Sequence, residues 1–104
     1  MVSITTFRQL ALSFPGTNEE PHFHLISFRY NKKIFATYRE KENWAMLKLP
    51  LAEQAVYCLY DKTIFFPVPG TWGAKGATFV DLHKVKKGIF MEALTVAYNA
   101  VGIK

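Results

Sequence analysis

The chain has 104 residues, half of them hydrophobic and 15% aromatic, with nine Phe. That is enough to bury one core without disulfides, too short for two independent cores, and too apolar for intrinsic disorder. Thirteen Lys and Arg against eight Asp and Glu give a formal charge of +5, which favours polyanions through steering and counterion release, although solubility alone accounts for such a charge in many proteins.

The single cysteine, Cys58, excludes an internal disulfide. With neither a signal peptide nor an apolar run long enough to span a bilayer, the expected location is cytoplasmic. Phe7, Leu10, Ala11 and Phe14 recur at i, i+3, i+4 and i+7, which predicts an opening helix with a capping box at Thr6 to Gln9 and a stop at Pro15 and Gly16. From His24 to Leu49 the period becomes two, with turn signals at 30–33 and 39–42, so three antiparallel strands in a meander follow. Pro50 suits the first turn of a second helix, with Leu51, Ala55, Cys58 and Leu59 on its buried face and an end at Asp61 and Lys62. Thr63 to Phe66 leaves room for a short extra strand near Phe65. Pro67, Pro69, Gly70, Gly73 and Gly76 then predict a structured loop that is neither strand nor helix. Ala77 to Leu82 reads as a strand, and Phe90, Ala93, Leu94, Ala97 and Val101 form the buried stripe of a closing helix. The fold class is α+β, a single antiparallel sheet with helices packed on one face in the order α-β-β-β-α-β-α, and residues 1–104 form one domain.

Side chains alternate along a strand, so each strand divides its residues between a helix side and an open side. Ile26, Phe28, Tyr30, Ile34, Ala36, Ala45, Leu47, Leu49, Val80 and Leu82 are expected inward. The outer face is then expected to carry Phe35, Trp44, Met46 and Phe79 among Arg29, Lys33 and Lys48. Rings interleaved with cations suit a nucleobase or nucleotide, since rings stack on bases while cations meet phosphates. A covering loop or a second copy of the chain would use the same apolar face equally well.

No enzyme site is spelled out. Lys75 is followed by Gly76 rather than Ser or Thr, so the Gly-rich segment is no Walker A motif, and a loop built for turning and packing outweighs an anion cradle. His22 and His24 would face one way on a strand, but zinc wants three or four ligands and His83 is far off in sequence. Cys58 on an apolar helix face reads as an inert thiol, and no Ser-His-Asp order or nucleophile elbow is present. The chain therefore reads as non-enzymatic, with no catalytic residue, metal or cofactor.

Several segments together resemble the MmcQ/YjbR-like family: Leu12 to Thr17 followed by Glu19, Glu20, Pro21 and His22; Ser27-Phe28-Arg29; Lys33 to Ala36; Trp44 to Leu49; Phe65 to Pro69; Trp72-Gly73; and Thr78 to Leu82. The match runs in order over nearly the whole chain. The resemblance implies a fold like that of frataxin and the secretion chaperones, in small cytoplasmic bacterial proteins described as having a double-wing DNA-binding motif. It brings no catalytic residues. This chain departs from the family pattern at Gly76-Ala77, where relatives have Gly-Trp, so any role of that ring is absent or passes to Trp72.

Two functions follow from these observations. The first is DNA binding, or nucleic-acid binding more generally, with Lys32 and Lys33 on one hairpin and Arg39 and Lys41 on the next as wings that meet phosphates, joined by Arg29, Lys48, Trp72 and Lys75. The second is a chaperone-like protein- or small-ligand-interaction domain, with a protein partner or a homodimer formed through the outer sheet face.

Overall fold

A computed structural model describes residues 1–102 of the chain. Its elements are α1 (Ile4–Leu12), β1 (Thr17–His22), β2 (Leu25–Tyr30), β3 (Lys33–Arg39), β4 (Trp44–Lys48), α2 (Leu51–Tyr60), β5 (Phe65–Pro67), α3 (Thr71–Ala74), β6 (Ala77–Asp81) and α4 (Lys87–Gly102). The six strands make one sheet in the order β1-β2-β3-β4-β6-β5, antiparallel throughout. This is the α+β class and meander expected from the period-two pattern, with the strand at Phe65 present at one edge.

The helix side of the sheet holds the core. Phe7 of α1 meets Phe28 of β2 and Phe90 of α4 at ring-centroid distances of 4.9 and 5.0 Å, and α4 packs across β2, β3 and β4. Phe90, Ala93, Leu94 and Ala97 are the buried stripe of α4, while Val101 at its end is only half-buried. The N-cap of α1 is Ser3, whose Oγ accepts from the Thr6 amide at 3.1 Å, so the helix starts ahead of the capping box expected at Thr6.

β1 has no alternating apolar pattern, and periodicity gave no sign of it. It is an edge strand, where Pro21 is tolerated because one row of amides faces away from the sheet. Glu19 turns toward the helix side and accepts from Arg8 of α1 at 2.6 and 3.1 Å, which ties the polar strand to the core layer. Two-residue reversals connect the first hairpins. Asn31 and Lys32 have φ of 51° and 69°, the paired left-handed conformation of a type I′ turn, and Phe23 at 59° reverses the chain between His22 and His24. The two histidines therefore do not sit on one strand.

Three expectations from the sequence are corrected. The register shifts between Phe28 and Arg29, where Phe28 pairs with Ala36 but Arg29 pairs with Ile34, leaving Phe35 as the extra residue of a β-bulge. Phe35 consequently points into the core, fully buried against Phe14 and Tyr98, and Ile34 points outward. On α2 the buried residues are Gln54 and Tyr57, while Leu51 and Leu59 are exposed. Polar residues can hold the inner side because each has a partner: Gln54 Nε2 donates to the carbonyls of Gly73 and Ala77 at 2.9 and 3.2 Å, and the Tyr57 hydroxyl donates to Glu92 at 2.6 Å.

The third correction concerns the glycine-rich segment, which contains a one-turn helix, α3. Gly73 lies so close to Val68 that a Cβ there would stand 1.8 Å from its carbonyl oxygen, and Gly76, at φ +112°, would place one 1.9 Å from the Leu49 oxygen. The segment is pressed against the sheet through the Leu49 amide, which donates to Gly76, and the Val68 amide, which donates to Ala77.

Candidate binding face on the outer side of the sheet

Register places the outward residues directly. Thr37 lies opposite Met46, Arg39 opposite Trp44, Met46 opposite Phe79, and Phe66 opposite Phe79. At one end of this face Trp44 packs on Phe66 and Phe79, at 5.0 and 5.1 Å between ring centroids. The Arg39 guanidinium stands 5.3 Å over the Phe79 ring and donates to Glu42 at 3.3 Å. This end closes on itself, which is why Phe79 is buried although it faces away from the helices.

Beyond that cluster the face is concave. A cavity of about 360 Å³ is floored by Ile34, Thr37, Met46 and Phe79, walled by His22 and Leu25 on one side and by Val68, Trp72 and Ala77 on the other, and bounded by Arg39 and Lys48. No Asp or Glu lines it, and among the described residues no ion pair involves Lys48. Trp72 is 65% exposed at the rim, lifted there by the glycines that hold α3 down. Trp72 and Ala77 line the same cavity, so the ring at position 72 occupies the wall that a Trp at position 77 would share. An apolar floor with cations at its ends and an exposed indole at the edge suits a flat apolar group that carries negative charge.

Of the residues singled out from the sequence, Arg39, Met46, Lys48, Trp72 and Phe79 come together at this cavity. Arg29 shares the outer face but lies toward the β1 edge, donating to Ser27 at 3.0 Å with Glu20 at 4.0 Å. Lys32 and Lys33 are exposed on the β2–β3 turn, and Lys41 is exposed on the β3–β4 turn between Glu40 and Glu42. Successive turns of a meander fall at opposite ends, so seven-residue β3 separates these two turns by about 20 Å. The turn that does neighbour β3–β4 is the one at Phe23 and His24, and the groove between them is lined by Arg39, Glu40, Lys41 and Glu42, a mixed rather than a basic surface. Lys75 is exposed at the end of α3; its amide donates to Thr71 and Trp72 and that of Gly76 to Gly73, so these N–H groups are spent inside the chain.

His22, Leu25, Ile34, Thr37 and Val68 belong to the cavity and were not legible as site residues. Ile34 was hidden by the bulge, and His22 and Leu25 by the unrecognised first hairpin. Cys58 is half-buried, and burial pushes its thiol up, away from the reactive thiolate.

The class these features define is an α+β domain with one helix-covered sheet face and one concave face free for contact. The same fold is found in the crystal structure of Deinococcus radiodurans protein DR2400, with family-model domain DUF419: the TM-score is 0.88 at 17% identity, over 100% of this chain and 81% of that one. No protein-family model and no curated protein matches the chain. Among the described residues no helix is long and apolar enough to cross a membrane.

Proposed function

We propose that the chain is a non-enzymatic binding module that seats an anionic ligand with a flat apolar body on its outer sheet face, and that single-stranded nucleic acid is that ligand. The observation that carries the proposal is the cavity, with no acid in its lining, in which Lys48 and the Glu42-paired Arg39 flank Thr37, Met46 and Phe79 beside the exposed ring of Trp72. Arg39 lies opposite Trp44 and Lys48 is four residues further along β4, so the two cations are spread over about 13 Å of the face. Bases can stack on Trp72 while phosphates meet the cations. A duplex keeps its bases paired and cannot place one in a cavity of about 360 Å³, so splayed bases are favoured. The sequence resemblance and the DUF419 neighbour together support membership of the MmcQ/YjbR-like family, and the lone cysteine supports a cytoplasmic setting.

A labelled single strand and the matching duplex, titrated at two salt concentrations, test this. The single strand is expected to bind more tightly; Trp72→Ala should lose about 1 to 3 kcal/mol, and Lys48→Ala should lower the salt slope by about 0.7. Absence of binding at low salt would remove the nucleic-acid assignment. Duplex preference would instead support the double-wing mode, whose one favouring observation is the exposed Lys32-Lys33 turn.

A further inference from the structure

Eight large hydrophobic side chains stand exposed among the described residues, and four of them belong to the ten-residue helix α2: Leu51, Val56, Leu59 and Tyr60, at 56%, 64%, 87% and 56% exposure. Exposed Ala52 and Ala55 complete this face, which carries no charge. The helix is locked about its axis by the bonds of Gln54 and Tyr57 on its inner side, so the apolar stripe cannot roll inward. An apolar stripe this concentrated is among the larger patches that a monomer carries, and such patches often mark contact sites.

We propose that α2 is the contact of a two-fold symmetric dimer of this chain, in which the two helices cross antiparallel at Ala55 and Val56. Along the middle of the stripe side-chain size changes, with the small Ala52 and Ala55 toward the N-terminal half and the large Leu59 toward the C-terminal end, while Leu51 and Tyr60 flank it at its two ends. Antiparallel pairing lays Leu59 of each copy into the space over Ala52 and Ala55 of the other, whereas parallel pairing would set large on large. A two-fold contact requires such a self-complementary patch. Charge points the same way: a chain of +5 repels its own copy over most of its surface, and this stripe presents no Lys or Arg. The four large side chains, each more than half exposed, make a patch on the order of the few hundred Å² at which apolar surface marks a contact site. That is below the roughly 800 Å² per partner of a standard interface, as suits a weak contact. A reversible dimer follows.

Sedimentation of the full chain over a dilution series is expected to show a mass rising from one chain toward two. Ala55→Glu and Ala55→Lys place good helix formers at an exposed position, so each variant keeps the wild-type circular dichroism while like charges across the two-fold axis hold it at the mass of one chain. Mixed in equal amounts, the two variants should recover the doubled mass. A wild-type chain that stays single at the highest concentration, a dimer indifferent to both substitutions, or a mixture that does not recover would each overturn the proposal.

Discussion

Phe35 is fully buried between Phe14 and Tyr98, so Phe35→Ala is expected to cost about 3 to 5 kcal/mol and Leu47→Ala about 2 to 5 kcal/mol. Trp44→Ala, on the outer face and half-buried, should cost less than either, and chemical denaturation of the three variants checks the order. If Trp44→Ala proved the most damaging, the two faces of the sheet would be exchanged. Tyr57 gives a pH-dependent prediction. Burial foremost, and then the bond to Glu92, raise its phenol above the ordinary value. A raised folded value means that the stabilisation is complete below the unfolded value of about 10 and is lost as pH rises from there toward the folded value. Tyr57→Phe should cost about 0.5 to 1.5 kcal/mol at neutral pH. It should also lose less stability than wild type between pH 7 and strongly alkaline pH. Equal alkaline losses in the two chains would show that this phenol is not held by the fold.

At the scale of elements, the α3 segment and the closing helix respond to alanine in opposite directions. Gly76→Ala forces a side chain into a left-handed backbone and against the Leu49 oxygen, and is expected to lower stability by more than about 1 kcal/mol. Gly88→Ala, in the first turn of α4 where a Cβ meets nothing within 4 Å, should raise it by about 0.4 to 1 kcal/mol. Melting temperatures of the two variants decide the matter, and a destabilised Gly88→Ala or a neutral Gly76→Ala would contradict the geometry. The elements also differ in how legible they were. β2, β4 and β6 and the helices α1 and α4 follow from period and punctuation, because each buries one continuous face, whereas in β3 the period gives the strand but not the facing of Phe35 at the bulge. β1 does not: its polar residues are paid for by backbone pairing to β2 and by the Arg8 to Glu19 bond, neither of which leaves a trace in local sequence. The rotation of α2 was misread because hydrophobicity alone ranked Leu51 and Leu59 above Gln54 and Tyr57, whose partners lie 19 to 35 residues away.

Across the whole molecule, charge is distributed so that two kinds of nucleic-acid contact can be separated. Lys32 and Lys33 lie at a turn, exposed and outside the cavity that holds Lys48 and Trp72. Replacing both by Ala should leave stability within about 0.5 kcal/mol. It should change the salt slope for a single strand by less than Lys48→Ala does alone. A drop of about 0.9 per lysine on a duplex would place the phosphate contacts at the turn instead.

By itself the sequence determined the fold class, the meander, the presence of the main helices and strands, and five of the residues at the cavity: Arg39, Lys48 and Trp72 as site residues, and Met46 and Phe79 as residues of the outer face. These depend on local periodicity and on residue type, which a linear chain displays. Only the tertiary structure decided that Phe35 turns inward, that His22, Leu25 and Ile34 help to form the cavity, that the two basic turns lie at opposite ends of β3, and that α2 shows its apolar side to solvent. A bulge shifts alternation by one residue, an edge strand pairs through its backbone, and a buried polar side chain needs a distant partner, and each of these is a relation between segments that no single segment contains.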